Sequence, residues 1–119
     1  KNIDVSFPNK IFLHGKNLFL STGDKEVENT TGLTIFSLED PLNPALKSTV
    51  NTGGHVLGMT FVGKYAFLAQ RGDVKMKSLD ISDLSHLAFS TEYTLPYGGW
   101  AIASDTAAKL VFVSFTKYE

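Results

Sequence analysis

The most constraining feature of this chain is an internal repeat. The segment HGKNLFLST at residues 14–22 is followed 48 residues later by VGKYAFLAQ at 62–70. A third copy, AAKLVFVSF at 107–115, follows at an offset of 45. The alignment places three phenylalanines at one position of the repeat, namely Phe19, Phe67 and Phe112. Three copies at a similar spacing indicate a structural unit of about 45 residues that is built more than once.

The segments between these copies follow the same period. NTGGH at 51–55 aligns with PYGGW at 96–100 at an offset of 45. GLTIFSLEDPLNPAL at 32–46 aligns with KMKSLDISDLSHLAF at 75–89 at an offset of 43. The repeat therefore extends over whole units, and it is not confined to one hydrophobic stretch.

Each unit has the pattern of four short β-strands. In the second unit we predict strands over about 56–62, 65–70, 74–81 and 87–95, separated by Gly-Lys, Gly-Asp and Ser-Asp turns. The segments are too short, and too rich in β-branched and aromatic residues, to favour helices. The sequence therefore predicts an all-β chain made of antiparallel strands.

The second strand of each unit is apolar on both of its faces. These strands read LFLS, AFLA and LVFVS, without the alternation of a strand that has one wet face. The blades of a β-propeller meet this requirement, because each four-stranded sheet packs between two neighbours. We therefore expect an incomplete β-propeller, with blades over about residues 9–52 and 55–97 and a partial blade over about 100–119.

The same residues resemble a known family. GKYAFLAQ and GLTIFSLEDPLNPAL, with its Asp-Pro-x-Asn-Pro corner, are similar to the LVIVD repeat. The second unit departs from that pattern, since Leu84 and Leu87 stand where the prolines would be. The resemblance implies a β-propeller in a surface or secreted protein, usually without an assigned enzymatic activity. It therefore implies an extracellular or cell-surface location.

Two and a half units do not complete a ring, because closed propellers typically have four to eight blades. We expect this chain, which begins at Lys1, to be a piece of a longer propeller. Assembly of several chains into one ring, or a stable open array, are the alternatives. In each of the first two cases the end segments, 1–7 and 110–119, would pair with further blades of the same protein or with other copies of the chain.

Composition excludes several partners. The chain is 43% hydrophobic and 19% charged, with a formal net charge of -1. Nothing in this balance favours nucleic acid or an anionic membrane as a partner. There is no cysteine, which excludes disulfides and thiolate metal sites. No apolar run reaches the roughly 18 residues of a membrane helix, so we expect no membrane insertion.

The three histidines do not have the spacing of a metal site, and we expect no metal or other cofactor. His14 is predicted to pack within a blade with a hydrogen-bond partner, and His86 to lie at the surface. His55 follows a Gly-Gly pair at the entrance to the innermost strand, where Trp100 aligns in the next unit. In a propeller this position lies near the rim of the central channel, so His55, Trp100 and the neighbouring Tyr97 are candidate ligand-binding residues. The alternative is a packed blade entrance.

The acidic residues do not form an obvious general acid and base pair. Asp40 and Asp83 occupy equivalent corners, where we expect each side chain to cap its own turn. The segment 23–32, GDKEVENTTG, has the composition of an exposed hairpin tip that could recognise a partner. Within it Asn29 begins an Asn-Thr-Thr triplet, a possible N-glycosylation site if the protein is secreted by a eukaryote.

Three classes of function stay open at this point. A non-catalytic recognition or scaffolding module that binds a protein or glycan is favoured, because no catalytic motif remains once the repeats are assigned. A glycan-binding form would use Trp100 and Tyr97 as stacking platforms. The alternative is a propeller enzyme whose remaining catalytic groups lie on blades that this chain lacks.

Overall fold

The computed structural model describes residues 8–22, 32–72, 76–94 and 99–115. It contains ten strands: β1 (Pro8–His14), β2 (Asn17–Thr22), β3 (Gly32–Ser37), β4 (Ala45–Asn51), β5 (Gly54–Val62), β6 (Tyr65–Gly72), β7 (Met76–Asp80), β8 (Ala88–Tyr93), β9 (Gly99–Asp105) and β10 (Leu110–Phe115). The described residues form no helix, so the predicted all-β class is confirmed.

The strands form three antiparallel sheets in chain order. The first sheet has the order β1-β2-β3-β4, the second β5-β6-β7-β8, and the third pairs β9 with β10. Each strand pairs with its neighbour in sequence, so the first two sheets are four-stranded meanders. Within the described residues none of the sheets closes on itself.

Equivalent β-bulges confirm that the first two sheets are copies of one unit. The pairing of β1 with β2 shifts register between Pro8 and Lys10. The pairing of β5 with β6 shifts between Val56 and Gly58, which is the same place at the offset of 48. A bulge adds an extra residue at a defined point and bends the strand there. The repeat is therefore a repeat of backbone geometry as well as of residue type.

The outer strand pairs carry a second matching bulge. The register of β3 with β4 shifts between Ile35 and Phe36. That of β7 with β8 shifts between Ser78 and Leu79, the aligned positions at the offset of 43. The bulges of the first sheet therefore lie at the positions that the sequence alignment makes equivalent to the bulges of the second sheet.

The first hairpin turns of the three sheets differ in length. Gly15 and Gly63 take φ values of +58° and +59° in two-residue turns, as the first position of a Gly-x hairpin turn requires. In the third sheet Asp105 pairs with Leu110, so four residues form the turn. Lys109 takes φ 56° there, in the left-handed region that a non-glycine residue seldom adopts. The longer turn shifts β9 by two residues relative to the sequence alignment.

The turns that precede the outermost strands are capped as predicted. Asp40 Oδ1 accepts a hydrogen bond from the backbone N–H two residues later at 3.1 Å, and Asp83 Oδ1 does the same at 2.9 Å. Asn43 Nδ2 lies 3.1 Å from Asp40 Oδ2, and His86 Nδ1 lies 3.1 Å from Asp83 Oδ2. These contacts are local to each turn, which is why the residue types alone were sufficient to predict them.

The three aligned phenylalanines lie on strands of equal rank. Phe19 is on β2, Phe67 on β6 and Phe112 on β10, each the second strand of its sheet. Their burial differs widely, however. Phe19 is 0% exposed, Phe67 is half-buried, and Phe112 is 58% exposed. The difference follows from what packs on each sheet.

The first and second sheets pack face to face through β5, which contacts β1, β2 and β3. Their shared core consists of Phe19, Leu33 and Ile35 from the first sheet and Val56, Met59, Ala66, Leu68 and Leu79 from the second. The rings of Phe19 and Phe61 lie 5.2 Å apart across this interface. One face of each sheet is thereby removed from water, which is the main stabilising contribution to such a stack.

The third sheet covers the opposite face of the second sheet. β9 packs against β5 and β6, and the Oγ1 of Thr60 lies 2.7 Å from the Oγ of Ser104. Gly58 leaves room for Ile102, since a Cβ at Gly58 would lie 3.2 Å from the Cγ2 of Ile102. The second sheet is therefore covered on both faces. The prediction of a doubly covered second strand is confirmed for β6. Within the described residues, β2 and β10 each have another sheet packed on one face only.

Candidate functional site

The connection between the first and second sheets is short and is held by local hydrogen bonds. We call residues 51–55 the β4–β5 junction. Thr52 Oγ1 donates a hydrogen bond to the carbonyl of Gly54 at 3.0 Å, and the backbone N–H of Gly53 donates to Asn51 Oδ1 at 2.8 Å. Gly53 takes φ +75°, which favours glycine at this position. The chain therefore enters β5 in one well-defined conformation.

A glutamine of the second sheet is hydrogen-bonded to the junction. Gln70 lies on β6 and is buried, and its Nε2 donates a hydrogen bond to the carbonyl of Thr52 at 3.0 Å. Thr52 is itself buried. The hydroxyl of Thr52 donates its hydrogen bond to the carbonyl of Gly54, and this contact fixes its orientation. The junction therefore has no freely rotating hydroxyl group.

His55 is the polar side chain that stands out at this junction. It is half-buried, and its Nε2 is buried without a hydrogen-bond partner among the described residues. A buried polar atom that makes no hydrogen bond typically costs about 1 to 3 kcal/mol. An imidazole nitrogen can donate or accept according to its tautomer. His55 therefore has hydrogen-bonding capacity that the described protein groups do not use.

The alignment of His55 with Trp100 is wrong. In β5 the register skips Leu57, and in β9 it skips Trp100 at the corresponding place opposite β10. Trp100 is therefore equivalent to Leu57, two positions beyond His55. The reason is the four-residue turn between β9 and β10, which the alignment of short motifs did not take into account.

The structure locates the other candidate residues only in part. Trp100 lies near the start of β9, which packs against β5, but its side chain lies outside what the structure describes. Tyr97 lies outside the described residues, and so does the possible glycosylation site Asn29. The joint site of His55, Tyr97 and Trp100 thus stays a prediction.

A buried lysine beside the junction was missed by the sequence reasoning. Lys77 on β7 is buried, and its Nζ lies 3.6 Å from Glu92 Oε1 and 4.6 Å from the centroid of the Phe89 ring. A Cβ on Gly53 would lie 3.6 Å from the same Nζ, so the ammonium group is adjacent to the junction. The available signal was the alignment of Lys77 with Thr34, which lies within the largely apolar strand segment GLTIF of the first unit. A lysine that is buried at such a position requires a partner.

The two remaining histidines have structural positions. His14 stacks on Phe61 with ring centroids 4.3 Å apart and an interplanar angle of 11°. This contact joins the first and second sheets, so His14 packs between sheets as predicted, although its side chain stays exposed. The predicted hydrogen-bond partner of His14 stays a prediction. His86 is exposed beside Asp83, which confirms its predicted surface position.

Two carboxyl groups have lowered pKa values, and both lie at turns. The hydroxyl and the backbone N–H of Ser82 hydrogen-bond to Asp80 and lower its pKa, with a smaller contribution from Lys64. The backbone N–H of Ser85 lowers the pKa of Asp83 most, followed by the His86 ring. Both shifts result from turn capping.

The described residues contain no cluster of three or more side chains suited to holding a metal ion. Nor do they include a helix of the length and hydrophobicity needed to cross a membrane. Around the junction, His55 can form a further hydrogen bond and Lys77 forms an ion pair with Glu92.

Comparison with protein-family models, with curated proteins and with solved structures gives no match for this chain. The function is therefore inferred from the geometry of the chain's own residues.

Proposed function

We propose that this chain is a non-catalytic recognition module of the β-propeller type, in which each four-stranded meander is a blade. The proposal is supported by two meanders with matching bulges that pack face to face. The resemblance to the LVIVD repeat supports the same assignment and an extracellular or cell-surface location. In such a module the stacked sheets form a rigid scaffold, and binding residues lie where the chain enters each innermost strand.

The ligand is bound at the β4–β5 junction, where His55 is the central contact. The observation that carries this assignment is the half-buried ring of His55, whose Nε2 has no hydrogen-bond partner among the described residues. That nitrogen lies beneath the surface, so a ligand pairs with it after the ring rotates outward. The ligand is a glycan or a protein segment, since both present hydroxyl or amide groups that pair with an imidazole. Tyr97 and Trp100 would supply apolar stacking surfaces beside it.

A binding screen with matched histidine variants tests this proposal. The purified chain is applied to a glycan array and to a peptide library, and the strongest binder is titrated against the wild type, His55→Ala and His86→Ala. We expect His55→Ala to weaken binding at least about tenfold, the loss of roughly one hydrogen bond to a buried group. His86→Ala is the control, because His86 is exposed at a turn. Equal affinity of the wild type and His55→Ala would contradict the proposed site, as would the absence of any binder.

A further inference from the structure

The two end sheets each expose an apolar face. The outer face of the first sheet is the face turned away from the second sheet. Its exposed part lies along β1, where Ile11 and Leu13 are both 63% exposed, whereas Leu20 and Phe36, which share this face by the strand register, are buried. The outer face of the third sheet carries Phe112, 58% exposed, and Leu110. These side chains alternate along their strands with residues that pack inward, as the period of two in a strand requires. Exposed leucine, isoleucine and phenylalanine side chains on one sheet face are typical of an interaction surface.

The outer face of the first sheet is equivalent to a face that is buried inside the chain. At the offset of 48, Ile11 aligns with Met59 and Leu13 aligns with Phe61. Met59 and Phe61 lie on the face by which the second sheet packs on the first, where Met59 is buried and Phe61 partly so. The outer face of the first sheet therefore has the residue pattern of a face that receives a preceding sheet.

The outer face of the third sheet is equivalent to the face by which the first sheet packs on the second. Phe112 has the rank and the register position of Phe19. Phe19 packs against Phe61 with ring centroids 5.2 Å apart. The two exposed faces thus correspond to the two sides of the interface between the first and second sheets.

We propose that two copies of this chain associate head to tail, with the outer face of the third sheet of one copy packed on the outer face of the first sheet of the next. In this arrangement Phe112 of one copy contacts Leu13 of the next, in the way that Phe19 contacts Phe61 within one chain. The contact is heterologous, because it joins two different faces. It is independent of the proposed ligand site at His55, which lies on neither outer face.

Charge substitutions on the two faces test the proposal. Sedimentation velocity at several micromolar concentrations measures self-association of the wild type, Leu13→Glu and Phe112→Glu. Each substitution places a carboxylate on one of the two faces, and a carboxylate is poorly tolerated in an apolar interface. The dissociation constant for self-association of each variant should therefore be at least about tenfold higher than that of the wild type. Tyr93→Glu is the control, since Tyr93 is 38% exposed on β8 of the second sheet, which carries neither outer face. It should associate like the wild type.

Mixing the two variants distinguishes head-to-tail contact from pairing of like faces. Leu13→Glu retains the face of the third sheet, and Phe112→Glu retains that of the first. An equimolar mixture should therefore form a one-to-one dimer that does not grow further. A monomeric wild type, or a mixture that stays as monomers, would overturn the proposal. So would strong self-association of either single variant, which would indicate contact between like faces.

Cysteine cross-linking gives a second test that does not depend on charged variants. The chain has no cysteine, so Leu13→Cys and Phe112→Cys each introduce a unique thiol. With a short thiol-specific cross-linker, the mixture of the two variants should yield several times more covalent dimer than either variant alone. Equal yields in the three samples would contradict the head-to-tail contact.

Discussion

The three equivalent phenylalanines provide an internally controlled measurement of how much each sheet face contributes to stability. Phe19, Phe67 and Phe112 occupy the same position of the second strand, so replacing each with alanine removes the same atoms from the same backbone context. Any preference of strands for phenylalanine over alanine is then common to the three variants. Differences in the free energy of unfolding therefore report differences in packing.

The expected magnitudes follow the burial of each ring. Phe19 is 0% exposed in the shared core, and emptying such a site costs about 3 to 5 kcal/mol. Phe112 is 58% exposed and leaves no cavity, so its removal costs about 1 kcal/mol from the lost apolar burial. Phe67 is half-buried under a two-stranded sheet, and we expect an intermediate loss of about 2 kcal/mol.

Urea denaturation of the four proteins at low, matched concentration measures these losses. With a slope of about 2 kcal/mol per M, the Phe19→Ala midpoint should fall by about 2 M. The order of loss should be Phe19, then Phe67, then Phe112. A loss below about 1 kcal/mol for Phe19→Ala, or an equal loss for Phe112→Ala, would refute the assignment of the buried and exposed faces.

Three further predictions address the interfaces and the turns. Gly58→Ala should lower the free energy of unfolding by about 1 to 3 kcal/mol in urea denaturation, because its Cβ would lie 3.2 Å from both the backbone N and the Cγ2 of Ile102; an unchanged stability would contradict the packing of the second and third sheets. Ser48→Ala should cost about 1 kcal/mol in the same assay, since Ser48 Oγ donates to the carbonyl of Leu84 at 2.7 Å between the first two sheets; no loss would argue against that contact. The pKa of Asp83 should lie below 3.8 in an NMR carboxyl titration. Because the pKa of Asp83 is lower in the folded state, its contribution to stability is present above the unfolded-state pKa and is lost as the pH falls through the folded-state pKa. A titration midpoint at or above 3.8 would contradict the capped turn.

The repeat, the strand order and the corner turns could all be predicted from the sequence. Strand patterns and turn residues are local signals, and the interactions they specify lie within a few residues of one another. The capped turn at Asp83 and the hairpin at Gly63 are examples, since each depends on contacts between close neighbours in sequence. The matching bulges of β1 and β5 are also local features, since each lies within a pair of strands that are neighbours in sequence.

The surroundings of His55 were decided only by the tertiary structure, and the register of β9 was evident only once the structure showed the length of its turn. The position of Trp100 depends on the length of the turn after β9, and two additional turn residues move it away from the His55 position. Whether a doubly apolar strand is buried on one face or two depends on which sheet packs against it, a contact between residues far apart in sequence. Phe19, Phe67 and Phe112 have the same identity and the same rank, yet their burial differs because different sheets pack on the faces they occupy. The four-stranded second sheet covers Phe19 and the two-stranded third sheet lies over Phe67, whereas no described sheet packs on the face of Phe112.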